Sequence, residues 1–239
     1  MLLDDIVAAI SLNADVRDIR QGTFYTAVLS RCCGIAATLI HEALRRDAPL
    51  VKNAGVLLEF DMPELVQLAY SPRIAEAAIG IAAINSLIDI DEAACIERNA
   101  ADLIIEKGRN KRVVIVGHFP FIPSVRKAAK QLWVIEKNPK ANDIPETETR
   151  HLIPQADVLA ITATALINHT MDQLLALRNP HAFVVVLGGT TPMLPVLFDH
   201  GIHAVSGTRI IDPDRALNCI SQGANYRQIQ GARKLIMMR

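Results

Sequence analysis

Aromatic side chains are scarce in this chain. Phe, Trp and Tyr supply 4% of its 239 residues, although 51% of them are hydrophobic. Its core must therefore be packed mainly with Ala, Ile, Leu and Val. An excess of charge is also missing, since 25 Lys and Arg balance 25 Asp and Glu. That excludes the basic footprint of a nucleic-acid surface, and no cluster of Lys and Arg restores one. The stretch from Lys107 to Arg112 reads as a solvated linker. No apolar run reaches the ~20 residues that cross a bilayer. Asp4 and Asp5 stand where a secretory signal would carry basic residues. The four cysteines include the adjacent Cys32 and Cys33 but form no CxxC pair and no disulfide ladder. Cys33 and Cys95 read as small buried hydrophobes. These absences lead us to expect a cytoplasmic protein with neither a nucleic-acid nor a membrane partner.

Several catalytic signatures are missing too. The sequence has no GxSxG elbow, no P-loop, no HExxH and no His/Cys pair at zinc spacing, despite seven histidines. Nucleophilic hydrolysis, nucleoside-triphosphate use and a resident zinc thus have no local signature, and a metal site cannot be read from the spacings.

The second half holds an alternation of apolar strands with helical stretches. Strands are expected at 113–116, 132–135, 158–162, 183–187 and 203–205, with helices at 124–130, 170–177, 193–199 and 213–222. Val113-Val-Ile-Val has the β-branched continuity of a strand covered on both faces. Asn168, Thr170 and Asp212 stand at N-cap positions, and Pro213 suits a first helical turn. Such alternation implies βαβ units and a mostly parallel sheet with helices on both faces.

The first half does not alternate. We expect a helix at 2–12, a hairpin of 15–21 and 23–30 around Gly22, and helices at 35–44, 62–70 and 72–87. This is the pattern of a smaller α+β domain, 1–108, followed by an α/β domain, 109–239. The helix from Ala75 to Leu87 is apolar on most faces, which suggests either a central helix or a homodimer interface.

In an open parallel sheet, ligands bind at the carboxyl ends of the strands. Those ends carry Gly117, His118, Phe119 and Pro120; Glu136; Thr162; Asn168 and Thr170 opening a helix; Gly188, Gly189, Thr190 and Thr191; and Gly207 with Thr208. Glycine lets backbone amides approach a ligand, while Thr and Asn bond it or cap helices. Gly188–Thr191 is a candidate anion cradle. Glu136 occupies the place of the ribose-binding acid of dinucleotide folds, yet the first loop lacks GxGxxG. It can equally serve as a metal ligand, a general base or a hydrogen-bonding anchor, with His118 as its partner.

Taken together, these segments resemble a known family. The resemblance rests on Val116–Pro120, Glu136 with Asn138-Pro139, Ala156-Asp157, Thr162, Asn168, Thr170, Gly188–Pro195 and Gly207-Thr208. In the first half it rests on Thr26–Val28, Gly34–Ala36 and Ser71–Arg73 leading to Ala82–Asn85. The family is the heavy-metal chelation family, in which an enolase amino-terminal-like domain precedes a Rossmann-like domain. The resemblance implies a site in the crevice between the two domains, with Asn85 facing it from the first. His118 departs from the bulky residue, such as Tyr, expected there, and His169 from a small one such as Gly.

The expected function is binding of, or action on, a small anionic or metal-chelating molecule in heavy-metal or metal-cofactor metabolism. Two rivals stand beside it: an enzyme using a nucleotide-type cofactor (SAM or NAD), with Glu136 on the ribose, and a non-enzymatic carrier or sensor of a metal chelate. The cofactor is unassigned beyond a metal ion or metal chelate.

Overall fold

The computed structural model describes residues 1–40 and 49–239. The chain opens with helix α1 (Leu2–Ala8), then an antiparallel sheet of β1 (Asp18–Gln21), β2 (Tyr25–Leu29) and β3 (Cys33–Ala37) in that order. Helices α2 (Met62–Gln67) and α3 (Ile74–Ser86) follow. An Asp61–Glu64 capping box fixes the start of α2.

After the short β4 (Cys95–Ile96) and α4 (Ala100–Gly108), the alternation begins. It runs β5 (Arg112–Val116), α5 (Ile122–Ala128), β6 (Gln131–Glu136), β7 (Ile144–Pro145), α6 (Thr149–Leu152), β8 (Val158–Thr162), α7 (Thr164–Ile167), α8 (Met171–Ala176) and β9 (Phe183–Leu187). β10 (Ala204–Ile210), α9 (Pro213–Ser221) and β11 (Ala232–Met238) complete it. The second sheet has eight strands in the order β4-β11-β10-β9-β8-β5-β6-β7. From β10 through β7 every pairing is parallel, while β11 pairs antiparallel with β10 and β4.

β5 is central, as its β-branched run demands. It pairs in parallel with β6 on one side and β8 on the other. Its residues alternate between two apolar layers. Val113 and Ile115 pack with Leu103 and Ile104 of α4 and Ile122 and Val125 of α5. Val114 faces the larger core, which includes Leu166 and Ile167 of α7, Leu174 of α8 and much of α3. The expected mostly parallel sheet, flanked by helices, is therefore present.

The three-stranded sheet is covered by helices from both the earlier and the later part of the chain. α3 packs on β2 and β3, while α9 meets β1 and β2 from the later part of the chain. Ala27, Cys33 and Ile35 share a cluster with Ala216, Leu217 and Ile220. The apolar girdle of α3, Ala75 to Ile84, is buried within the chain itself. The central-helix reading thus accounts for it.

Three expectations need correction. The helix expected at 35–44 is a strand at Cys33–Ala37 in its described part, and 41–48 lie outside the described residues. Its alanines favour a helix locally, but pairing with β2 and cover from α3 decide otherwise. The stretch expected to be helical at 193–199 is a 3-10 helix at Pro195–His200. The fifth strand runs on to Ile210 because β11, absent from the sequence reading, pairs with its whole length.

Close packing of α3 on β3 depends on Gly34. A Cβ there would lie 2.2 Å from both the Ala82 carbonyl oxygen and the Ser86 nitrogen. Both are backbone atoms, so the helix would have to move. Gly34→Ala is expected to cost about 2–3 kcal/mol of stability in urea denaturation, and an unchanged midpoint would refute this packing.

Candidate functional site

The strand order reverses at β5, whose two parallel neighbours lead away in opposite directions. At the carboxyl ends of β5, β6 and β8 lies a cavity of about 650 Å³. Its wall includes Gly117, His118, Phe119, Glu136, Thr162, Asn168 and Thr170, with Leu39 from the first half. Seven of the expected site residues thus come together where an open parallel sheet places its ligand.

Gly117 leaves β5 at φ +104°, a conformation that side chains rarely adopt. A Cβ there would sit 3.0 Å from Thr162 Cβ, so the bare backbone keeps the β5 and β8 ends close together. The loop then presents His118, whose Nδ1 lies 2.9 Å from Asp143 Oδ2. The Asp143 side chain is 3% exposed and the imidazole 33% exposed. Asp143 Oδ2 also accepts the Lys140 N–H at 3.0 Å, which fixes the carboxylate. In a neutral ring that donates Nδ1–H to this carboxylate, Nε2 is an acceptor.

Glu136 ends β6, and its Oε1 accepts the Lys137 N–H at 2.9 Å. Lys137 and Arg150 bring positive charge to the same wall, and Glu146 brings a further carboxylate. Asn168 is best satisfied with its amide nitrogen toward Thr170 Oγ1 at 2.7 Å and its oxygen accepting from Lys137 Nζ at 3.2 Å. Thr162 and Thr164 hydroxyls are 3.0 Å apart. Sequence reasoning missed Asp143, Lys137 and Arg150. The only available signal was their nearness to the Glu136 strand end.

The other expected residues lie elsewhere. Asn85, Gly189, Thr191 and Thr208 line a second cavity, of about 320 Å³, between the first-half strands and the β9–β10 region. Thr190 is buried, and its hydroxyl accepts the Ala37 N–H at 3.0 Å. Asn85 Nδ2 donates to the carbonyls of Ile35 and Thr190. The loop at Gly188–Thr191 is thus fastened to the first half. Gly207 and Thr208 lie within β10 rather than in a strand-end loop, and Gly207 packs against Met193. Pro120 and Gly188 line neither cavity. The expected residues therefore divide between two cavities.

No group of three His, Cys, Asp or Glu side chains among the described residues could hold an ion. Burial pushes the Cys33 thiol up to about 12, so it stays protonated at neutral pH and is a poor ligand.

His169, between Asn168 and Thr170, has φ +58°, the left-handed region that favours glycine. Its Nε2 lies 2.9 Å from the Ser71 carbonyl oxygen, a bond that ties this loop to the first half. His169→Gly should relieve the backbone while losing the bond, leaving stability within about 1 kcal/mol of the parent. His169→Ala keeps the strain without the bond, and should cost about 1–2 kcal/mol. Urea melts with the opposite order would show that the side chain is not what holds this turn.

Comparison with known proteins agrees with this architecture. Two family models, both described as "Putative heavy-metal chelation", match residues 4–88 and 99–239. An uncharacterized protein of Methanocaldococcus jannaschii, MJ0500, is 27% identical over 219 residues, covering 87% of this chain and 82% of its own. A crystal structure of a protein of unknown function from Desulfitobacterium hafniense has a TM-score of 0.86 at 24% identity, covering 100% of this chain and 97% of that one. A second, from Pyrococcus horikoshii, has a TM-score of 0.84 at 24% identity, with 100% of both chains covered. The chain belongs to the family described as "Putative heavy-metal chelation".

Proposed function

We propose that the protein binds or acts on a small anionic or metal-chelating molecule in the cavity at the β5, β6 and β8 ends, within heavy-metal or metal-cofactor metabolism. The observation that carries this reading is the 2.9 Å pairing of His118 with the buried Asp143 beside Glu136. An imidazole held by a carboxylate on one nitrogen has the other available to take a proton from a ligand hydroxyl or amine. Lys137 and Arg150 supply the charge to receive carboxylate or phosphate groups. Thr162, Asn168 and Thr170 add the neutral hydrogen bonds that orient a polar molecule.

A metal that enters already bound to its own chelator needs no set of protein donors. The protein would then recognise the chelator's polar groups. A second reading, a nucleotide-type cofactor with Glu136 on its ribose, draws support from the position of Glu136 beside the strand-order reversal. The single glycine in the first loop weighs against a pyrophosphate there.

The test begins with the molecule that co-purifies with the protein, identified by mass spectrometry and titrated calorimetrically. Glu136→Gln should weaken its binding by about 1–3 kcal/mol without changing the melting temperature. Equal affinity in parent and variant would make Glu136 structural and reject this site.

A further inference from the structure

The turn Asn168-His169-Thr170 joins α7 to α8 and places two residues, Asn168 and Thr170, on the wall of the larger cavity. His169, between them, lines neither cavity and is exposed. Its ring instead reaches the first half, where Nε2 lies 2.9 Å from the Ser71 carbonyl oxygen. A carbonyl only accepts, so Nε2 carries the proton and donates it. The φ of +58° at this residue is a conformation that persists where the surroundings over-determine it.

The acceptor is itself held in place. The Ser71 N–H donates to the Leu68 carbonyl at 3.0 Å, and its hydroxyl donates to Glu76 Oε2 at 2.5 Å. Glu76 is buried in α3, and its other oxygen accepts the Lys52 N–H at 2.8 Å. A second bond from the first half lies just beyond the turn, where the Leu2 N–H donates to Asp172 Oδ1 at 2.9 Å. Thr170 therefore sits between two fastenings to the first half, while α7 packs on α3 before it. On the cavity side, the Asn168 amide and Thr170 hydroxyl are 2.7 Å apart, and the Asn168 oxygen accepts from Lys137 Nζ at 3.2 Å. A shift of the turn would move three polar groups of the wall together.

We infer that His169 is a positioning residue for the larger cavity, coupling its occupancy to the Ser71 segment of the first half. The inference rests on the reading of that cavity as the ligand site. By holding the turn against Ser71, His169 keeps Asn168 and Thr170 in place before a ligand arrives, which lowers the ordering cost of binding. Coupling of this kind is reciprocal: if the His169 bond favours the ligand, the ligand favours the bond.

Citrate, an anionic chelator, is a suitable probe for isothermal titration of the full chain. His169→Gly removes the bond without straining the backbone, and should weaken citrate at least ~3-fold. His169→Gln places an amide N–H at a similar reach and should restore affinity to within about 2-fold of the parent. Arg150→Gln, on the cavity wall, should weaken citrate at least ~5-fold. Deuterium exchange at the Ser71 and Arg73 amides reads the coupling itself. Saturating citrate should slow it in the parent and in His169→Gln, and leave it unchanged in His169→Gly. Citrate bound equally by the parent and His169→Gly would overturn the inference alone. So would a His169→Gln variant as weak as His169→Gly, or exchange at Ser71 and Arg73 that citrate does not alter in the parent. No citrate binding, or binding indifferent to Arg150→Gln, would reject the cavity reading and this inference with it.

Discussion

The constraint on which this molecule depends is that its parallel strands are buried on both faces. Val113, Val114, Ile115, Leu159, Ala160, Val185 and Val186 are wholly inaccessible to solvent. No polar side chain can stand along such strands without losing its hydration. Polar chemistry is therefore pushed to the strand ends, and at the carboxyl ends the loops must turn toward helices or the first half. Gly117 and Thr162 meet there because their strands are neighbours, not because of any sequence motif.

A second consequence follows from how the early segments cover this sheet. α3 lies against the core on one side and β2 and β3 on the other, so it must be apolar nearly all round. Its few polar residues, Glu76, Asn85 and Ser86, each make hydrogen bonds, and the Asn85 amide fastens the Thr190 backbone to β3. The larger opens at the ends of β5, β6 and β8, while the smaller opens where β3, α3 and β10 approach one another. One has a carboxylate-held histidine and mixed charge; the other is rimmed by arginine.

Much of the sheet was legible in the sequence, because a run such as Val113-Val-Ile-Val has few alternatives to a buried strand. Gly117, Glu136 and Thr162 were legible for the same reason, since each ends such a run. β3 was not, because Gly-Ile-Ala-Ala carries no strand preference of its own and is extended by its neighbours. β11 was hidden too: Ala232-Arg-Lys-Leu-Ile-Met-Met follows no helix–strand alternation and pairs antiparallel. Asp143 sits in a loop without periodicity, and only the fold brings it to His118. No sequence pattern links Arg17 and Arg31 to Arg209, and the cavity wall they share is wholly tertiary. Strand-end residues could be found by pattern, whereas partners across loops could not.

The central claim is that the β5, β6 and β8 ends form the ligand site. A crystal structure of the protein holding its co-purified molecule tests it most directly. The account predicts that molecule within hydrogen-bonding distance of His118 Nε2 and the Glu136 carboxylate, with its anionic groups toward Lys137 and Arg150. A molecule bound with His118 and Glu136 both untouched would contradict it.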